Sequence, residues 1–456
     1  MSTAPLYGCT DALARFALDM NSSQLSEPVR HECVRALVDA IGCSLGGSRH
    51  SIVEVAYEAL REFFGRPTTT LLGRADKADL LHATLLNGLA GAAYSFFDTY
   101  SDALLHPGVP VAAGLLGLAE RTQASGAQFV SAFATGLEAA CRLTKTIALA
   151  PAEASISWSQ SGIVGGVATA LAAGKLLGLD QQRLRWALGI AASQSAGTRA
   201  DHGTMTASLI FGHAAQTGVR AALLAANGFT SSHASLEDRH GFASVFATKP
   251  NFMALVDGLG RDFVLMENTY KPFPCGVVIH PAIDAMLQLK KEAGFSGPDI
   301  SRIEINATQS AVTFGSRPHP ANEIEAKFSL HHWVAAAASR GKAGIAEGAS
   351  AVVEDKEVAR LRGVITLNAD PSTPPKGAEL LVDLLDGRRV TKSVIHCIGS
   401  LERPMSDADL EAKFVDQGGA MIGVERAQDL VRDCWRIMDI PDASLLARKA
   451  TCQAGA

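Results

Sequence analysis

The chain has 456 residues, which is more than one hydrophobic core usually supports, so two domains are expected. Apolar residues make up 47% of the sequence and charged residues 19%, a globular composition that excludes a disordered chain. The net charge is −5 and there is no long basic run, so a nucleic-acid-binding surface is not expected.

The eight cysteines are scattered, without a C-x-x-C pair or metal-ligand spacing, which is typical of free thiols in a reducing compartment. The N-terminus carries acidic residues early and lacks a basic segment followed by an apolar one, so no signal peptide is expected. The most apolar segment, residues 163–179, contains Lys175 and is too short to span a bilayer. These features predict a cytoplasmic protein without a membrane segment.

Helical patterns predominate up to about residue 265. Ser26 is the predicted N-cap of a helix with Pro28 in its first turn and glycines at its end. Residues 126–147, 180–197 and 210–228 show the same helical spacing of apolar residues. No period-2 strand of any length is expected in this part of the chain.

The pattern changes after about residue 270. Residues 300–308 and 377–396 alternate or cluster β-branched residues and Leu around turns such as Asp386-Gly387, which predicts strands. Residues 368–377 have the composition of a loop. Helical spacing then returns, with Ser406 as a predicted N-cap.

The predicted fold class is mainly α with a smaller α+β domain. Residues 1–265 and 398–456 are expected to form one helical domain, because the C-terminal segment is too short to bury its own apolar face. Residues 266–397 are expected to form an α+β domain inserted between them. The Gly/Ala-rich helices leave few large side chains to cover the surface, which predicts a homodimer with a broad apolar interface.

A histidine precedes the proline at the start of a predicted helix, residues 107–122. Pro107 suits a first helical position, which puts His106 at or next to the N-cap. A helix N-terminus offers unpaired N–H groups to a carboxylate, and the same field keeps a nearby imidazole neutral. His106 is therefore a candidate general base, and the alternative is a polar helix start without a function.

The same arrangement recurs at His280, which precedes Pro281 and a second predicted helix. Just upstream, residues 270–276 place Tyr270, Lys271 and Cys275 in a proline-stiffened loop, which suits the lining of a cleft. The alternative is a linker, with Cys275 as a buried thiol rather than a nucleophile.

A third polar stretch, residues 196–215, interrupts two helical patterns. Thr204 and Thr206 can donate hydrogen bonds to an oxyanion, and Arg199 can pair with a carboxylate. The alternative is a polar turn between helices. We find no dinucleotide fingerprint, Walker loop, H-E-x-x-H or nucleophile elbow, so nucleotide, zinc and serine-triad chemistry are not expected.

Taken together, these stretches resemble the MmgE/PrpD family. The matching motifs occur in family order and span most of the chain: FDT…HPG (97–108), GTMT (203–206), GFTSS (228–232), YKPFPCG…HPAIDA (270–285), EAKFSL (325–330) and PMSDADLEAKF (404–414). The resemblance implies a helical domain with an inserted α+β domain and a site in the cleft between them. It also implies a homodimer without metal or cofactor that acts on small di- and tricarboxylates as a dehydratase, decarboxylase or epimerase.

The sequence departs from the family pattern at three places. In the aspartate-rich segment, Asp98 is kept, but Phe96 replaces the first Asp or Tyr100 replaces Thr, depending on the alignment. Ala207 stands where the family has Lys. Ser159, which follows a Trp, stands where the family has His.

The resemblance and the motifs together predict a cofactor-independent lyase or isomerase that removes a proton from carbon beside a carboxylate. The alternative is a non-catalytic polycarboxylate-binding protein that has lost the family's catalytic Lys and His. His106 is the predicted base, Lys271 a charge-stabilising group, and Asp98 a residue that orients a histidine or Tyr100. The residues expected to bind substrate are Ser159, Arg199, His202, Thr204, Thr206 and His280.

Overall fold

The computed structural model describes residues 8–100, 103–147 and 157–452. The fold is mainly helical with a small mixed sheet, as predicted. The helices are α1 Cys9–Asp19, α2 Glu27–Gly47, α3 Ser51–Leu60, α4 Leu80–Ala92, α5 Gly108–Thr122, α6 Gly126–Ile147, α7 Gln160–Leu176, α8 Gln181–Ala192, α9 Thr206–Ala226, α10 Phe242–Phe246, α11 Phe252–Val256, α12 His280–Ala293, α13 Gln309–Gly315, α14 Glu323–Ala326, α15 Leu330–Arg340, α16 Ile345–Gly348, α17 Ser350–Val353, α18 Lys356–Gly363, α19 Asp407–Ile422, α20 Val424–Trp435 and α21 Ser444–Lys449.

The strands are β1 Thr69–Thr70, β2 Lys77–Ala78, β3 Thr99–Tyr100, β4 Asn268–Thr269, β5 Ile300–Ala307, β6 Ile365–Ala369, β7 Ala378–Leu384 and β8 Arg389–Val394. Before residue 265 the described strands are only two residues long, in agreement with the helical pattern of that part of the sequence. The predicted start of α2 is confirmed, with Ser26 at the N-cap position and Pro28 in the first turn.

Small residues let the helices of the large apolar core approach closely. The apolar segment that contains Lys175 forms most of α7, which packs against α5, α6, α8 and α9. Where α4 crosses α9, a Cβ built on Gly88 would lie only 2.9 Å from the Cα of Gly212, so a larger residue would push the two helices apart. Along the described ranges, no helix combines the length and the apolar character that a bilayer crossing requires.

The C-terminal helices pack on the N-terminal ones. α19 lies against α2, and Leu410 and Phe414 belong to the same buried apolar cluster as Leu37 and Ile41. A capping box begins α19, because Ser406 and the side chain of Asp409 satisfy each other's backbone N–H groups. The domain boundaries at residues 265 and 398 stay a prediction.

A second apolar cluster forms around the four-stranded sheet, whose strand order is β6-β5-β7-β8. β5 runs parallel to β6 and antiparallel to β7, and the predicted β7–β8 hairpin turns at Asp386-Gly387, where Gly387 has φ +89°. α12 covers β7 and β8, and α15 packs on α12 with Trp333 fully buried. The edge strand β6 was not predicted from sequence, because its alternation of apolar and polar residues covers only five positions. The last two of these positions lie in residues 368–377, which were predicted as a loop.

A two-residue ladder joins distant parts of the chain beside the polar motifs. β3 pairs antiparallel with β4, so that Thr99 faces Thr269 and Tyr100 faces Asn268. This pairing brings the segment before His106 next to the segment before Lys271.

Candidate active site

A cavity lies among the N-terminal ends of α5 and α9 and residues 271–279. Its polar lining consists of Ser95, His106, Ser159, Arg199, His202, Ser208, Lys271 and Lys327. The remaining wall is Gly276 and the apolar residues Ala92, Phe97, Leu104, Ala207, Ile210, Phe211, Val277, Val278, Ile279, Phe314 and Phe328. The five predicted residues that the structure brings to this cavity are His106, Ser159, Arg199, His202 and Lys271.

His106 is held in one tautomer by the backbone before it. Its Nδ1 lies 2.9 Å from the carbonyl oxygen of Asp98 and 3.1 Å from Oγ1 of Thr99. Because a carbonyl can only accept, Nδ1 carries the proton, and Nε2 is the basic nitrogen of the neutral ring. Nε2 has no hydrogen-bond partner among the residues that the structure describes.

The surroundings of His106 favour the uncharged imidazole. The ring is partly buried against Phe97 and Phe211, with ring centroids 4.4 Å and 5.9 Å away. Burial and then the charge of Lys271 lower the pKa of His106 well below its ordinary value. A neutral imidazole was expected from the helix dipole, whereas burial is the larger cause in the structure.

The start of α5 is occupied by Asp98 rather than open to a ligand. Pro107 is the N-cap, and the N–H of Gly108 donates to both carboxylate oxygens of Asp98, at 3.1 and 3.0 Å. Asn268 donates to the same carboxylate at 2.9 Å. Asp98 does not line the cavity, and it is the backbone carbonyl of this residue that contacts His106. Burial and then the nearby Asp39 raise the pKa of Asp98 to about 7.

Lys271 is a buried amine on the cavity wall, 2% exposed. Its Nζ donates to the carbonyl and hydroxyl oxygens of Ser95, at 3.0 and 3.2 Å, and lies 4.3 Å from the centroid of the Phe97 ring. Because the same ring contacts His106, the two predicted catalytic side chains share one aromatic support. Burial lowers the pKa of Lys271 to about 7, with a smaller contribution from the positive charge of Lys413.

Two further cations line the cavity. Arg199 donates through Nε to the carbonyl of Trp158 at 3.0 Å, and its guanidinium lies 5.5 Å from the centroid of Phe314. Lys327 is 6% exposed and donates to the carbonyl of Ala93 at 2.7 Å, and burial lowers its pKa to about 8. No role was predicted for Lys327 from sequence, although it lies in the motif EAKFSL. Its position between the apolar residues Ala326 and Phe328 was the feature that could have indicated a buried lysine.

His202 and Ser159 complete the polar wall. The His202 ring stacks on Phe328 at 4.9 Å, and burial with the charge of Arg199 lowers its pKa to about 4, which keeps it neutral. Ser159 caps α7, with its side chain 3.4 Å from the N–H of Gly162.

The other predicted residues lie away from the cavity wall. The hydroxyl of Tyr100 donates to Glu267 at 2.8 Å, and the ring is buried. His280 is buried at the first position of α12, against Phe273. Thr204 is exposed and donates to the carbonyl of Asp201, and Thr206 is exposed at the start of α9, because the turn before α9 directs both hydroxyls outward.

Two departures from the family pattern, Ala207 and Ser159, lie on the cavity wall. Phe96 lies behind the wall, where its ring contacts the ammonium of Lys413. The departures therefore change the shape and polarity of the site itself.

Two nucleophile motifs carry no chemistry at this site. Burial raises the pKa of the Cys275 thiol, which is 0% exposed and so fits the predicted buried thiol. The expectation that the chain contains no G-x-S-x-G sequence is wrong, because residues 42–46 read GCSLG. They lie inside α2, where Ser44 is buried and bonds to the carbonyl of Asn87, so they do not form an elbow. Within the described ranges, no three His, Cys, Asp or Glu side chains are grouped as a metal site would need.

Comparison with known proteins places the chain in a family. The models of the MmgE/PrpD N-terminal domain and the MmgE/PrpD C-terminal domain match residues 11–254 and 273–437. The chain is 26% identical over 456 residues to the cis-aconitate decarboxylase of Homo sapiens, covering 97% of this chain and 94% of that protein. It is 24% identical over 465 residues to the cis-aconitate decarboxylase of Aspergillus terreus, covering 95% and 94% of the two chains. The predicted resemblance is confirmed, and the chain belongs to the MmgE/PrpD family.

Proposed function

We propose that the protein is a lyase that binds a small tricarboxylate in the cavity and uses His106 to transfer a proton at a carbon beside a carboxylate. One observation carries the proposal: the described lining residues include three cationic side chains and no Asp or Glu, next to a neutral imidazole. A cavity of this charge attracts a polyanion and stabilises negative charge that develops on it.

The three cations differ in how they can hold a substrate. Arg199 presents a planar guanidinium that suits two-point contact with a carboxylate, whereas Lys271 and Lys327 act as point charges. In the free protein each amine donates to a backbone carbonyl, which leaves further N–H donors on the same nitrogen for a ligand. Lys271 and His106 both contact the ring of Phe97. We therefore assign Lys271 the role of stabilising the negative charge that develops at the reacting carbon.

His106 can serve each reaction of the predicted class through Nε2. In dehydration, Nε2 accepts the proton from carbon, the electron pair forms the new C=C bond, and the hydroxyl group on the neighbouring carbon takes up a proton and leaves as water. In epimerisation, the electron pair is delocalised into the adjacent carboxylate until a proton from solvent returns to the opposite face of the carbon. In decarboxylation, the C–C bond to the leaving carboxylate breaks, CO₂ departs, and a proton taken up from solvent reaches the carbon through His106. The names of the similar proteins favour decarboxylation. Apart from protons exchanged with solvent, these steps use only side chains of this protein, as the predicted cofactor-independent mechanism requires.

The alternative, a non-catalytic polycarboxylate-binding protein, is favoured by one observation. Ala207 and Ser159 stand on the cavity wall where the family pattern has Lys and His. In the catalytic proposal, Arg199 and His202 supply the charge and hydrogen bonding that these residues lack.

One experiment separates the two functions. The protein is incubated in D₂O with a panel of C4–C7 polycarboxylates, and NMR detects deuterium incorporation or product. In parallel, titration calorimetry measures binding of propane-1,2,3-tricarboxylate, which has no hydroxyl to eliminate. Binding with exchange or turnover supports the lyase, binding without either supports the non-catalytic protein, and absence of both refutes the two proposals.

The cytoplasmic location and the homodimer stay predictions, and light scattering at micromolar concentration tests the homodimer.

A further inference from the structure

A third buried lysine lies behind the cavity wall. Lys413 is on α19, 8% exposed, and is not among the residues that line the cavity. Its Nζ donates to Oδ1 of Asp39 at 2.7 Å, to the carbonyl of Lys271 at 3.0 Å, and to the carbonyl of Phe96. An ammonium has three N–H donors, so these three acceptors use all of them.

The two carbonyls belong to the two segments that carry the site. One is the carbonyl of Lys271 itself, and the other is that of Phe96. The two residues that flank Phe96 both contact Nζ of Lys271: Ser95 accepts a hydrogen bond from it, and the Phe97 ring lies against it. Lys413 therefore ties residues 95–97 to Lys271 from behind, although the two segments are far apart in sequence. Asp39 on α2 supplies the counter-charge, with its side chain fully buried.

The tied segment has a strained backbone. Ser95 has φ +54°, a left-handed conformation that a non-glycine residue adopts at a cost of about 1 kcal/mol or more. Such a conformation persists only where neighbouring contacts hold it in place. Here Lys271 holds the carbonyl of Ser95 on one side, and Lys413 holds the next carbonyl of the chain, that of Phe96, on the other.

We propose that Lys413, with Asp39 as its counter-charge, is a positioning residue that sets the placement of Lys271 toward the substrate without touching the substrate. This inference rests on the proposed function, because it assigns Lys271 the task of binding a carboxylate. Lys413 acts through the backbone carbonyls of Lys271 and Phe96, and Asp39 acts through Lys413. Their effect on the ligand is therefore expected to depend on the presence of the Lys271 amine.

A double-mutant cycle tests this dependence. Asp39→Asn/Lys413→Met removes both charges together, which avoids leaving one buried charge unpaired. Calorimetry measures the affinity for propane-1,2,3-tricarboxylate in the native background and in the Lys271→Met background. We expect a loss of about tenfold in the native background and less than about twofold in the Lys271→Met background.

Lys175→Met is the matched control. Lys175 also donates its Nζ to backbone carbonyls, those of Ala17 and Met20, but it lies outside the cavity lining. Its loss is expected to lower the melting temperature and leave the affinity unchanged. If Asp39→Asn/Lys413→Met does not fold, Asp39→Asn/Lys413→Gln takes its place, because it keeps hydrogen-bonding amides at both positions. The same comparison between the native and Lys271→Met backgrounds then tests the positioning role.

The outcomes separate the two proposals. Native affinity in the Asp39/Lys413 variant, or an equal loss in both backgrounds, overturns the positioning role while the proposed function stands. If Lys271→Met leaves the affinity unchanged, the positioning role fails, and the assay in D₂O decides the proposed function separately. If the wild-type protein neither binds the tricarboxylate nor exchanges or converts any polycarboxylate, the proposed function fails and the positioning role fails with it.

Discussion

His106→Gln is the substitution that most directly tests the proposed chemistry. Glutamine has a similar size and hydrogen-bonding capacity, but its amide cannot accept a proton from carbon. Removal of a general acid–base group typically slows a reaction by about 10²–10⁴-fold, which corresponds to about 3–5 kcal/mol in the barrier. We therefore expect turnover to fall by this factor.

The same change should cost the fold much less. The N–H at Nδ1 of His106 is shared between the carbonyl of Asp98 and Oγ1 of Thr99, an interaction worth about 0.5–1.5 kcal/mol, which an amide N–H can replace. The ring contacts with Phe97 and Phe211 are worth about 0.5–1.5 kcal/mol each. Because the amide replaces the hydrogen bond, the loss of stability is at most about 3 kcal/mol, so the variant should stay folded at the assay temperature.

The assay is the NMR measurement in D₂O with the polycarboxylate that the wild-type protein converts, together with thermal melting of each variant. His240→Gln is the matched control, because His240 is exposed and does not line the cavity. It should leave both turnover and melting temperature unchanged. If His106→Gln retains turnover within about threefold of wild type, His106 is not the base.

Four further predictions follow from the burial and charges of named residues. Lys327→Met should weaken binding of propane-1,2,3-tricarboxylate by at least about tenfold in calorimetry, since it removes one of three cations from the cavity. An unchanged affinity would rule out a contact between Lys327 and the ligand. The affinity should fall as pH rises from 6 to 9, because the amines of Lys271 and Lys327, with pKa values of about 7 and about 8, bind anions only when protonated, and a flat profile would contradict this. Thr204→Ala should leave the affinity unchanged, because the hydroxyl is exposed outside the cavity. A higher Kd in this variant would show that Thr204 contacts the ligand. Arg142→Met should lower the free energy of unfolding by about 3–5 kcal/mol in urea titrations, because it leaves the buried Glu138 without the cation that now lies 2.5 Å away. A loss below about 1 kcal/mol would refute this reasoning.

Several elements follow from sequence alone because their causes are local. The N-caps of α2 and α19 and the β7–β8 turn each depend on residues within a few positions of one another. Helical spacing in the first half of the chain predicted long helices for the same reason. The edge strand β6 escaped prediction, because its alternating pattern covers only five residues and its parallel pairing with β5 comes from tertiary contact.

The composition of the candidate site was only partly predictable. His106, Lys271, Arg199, His202 and Ser159 do line one cavity, since motifs in proline- or glycine-rich turns place polar side chains at helix ends. A motif does not determine which way each side chain points. The side chains of Tyr100, His280, Thr204 and Thr206 point elsewhere. Lys327 lines the cavity although the sequence analysis assigned it no role.

Sequence by itself determined the family, the mainly helical character of the chain and the residue types that the chemistry needs. These properties depend on the identity and spacing of residues along the chain. The tertiary structure alone decided which groups meet and how they are charged. The pairing of β3 with β4 brings the segments of Lys271 and His106 together, and burial of the two side chains lowers the pKa of both groups. Desolvation depends on atoms from segments far apart in sequence, so no local pattern encodes it.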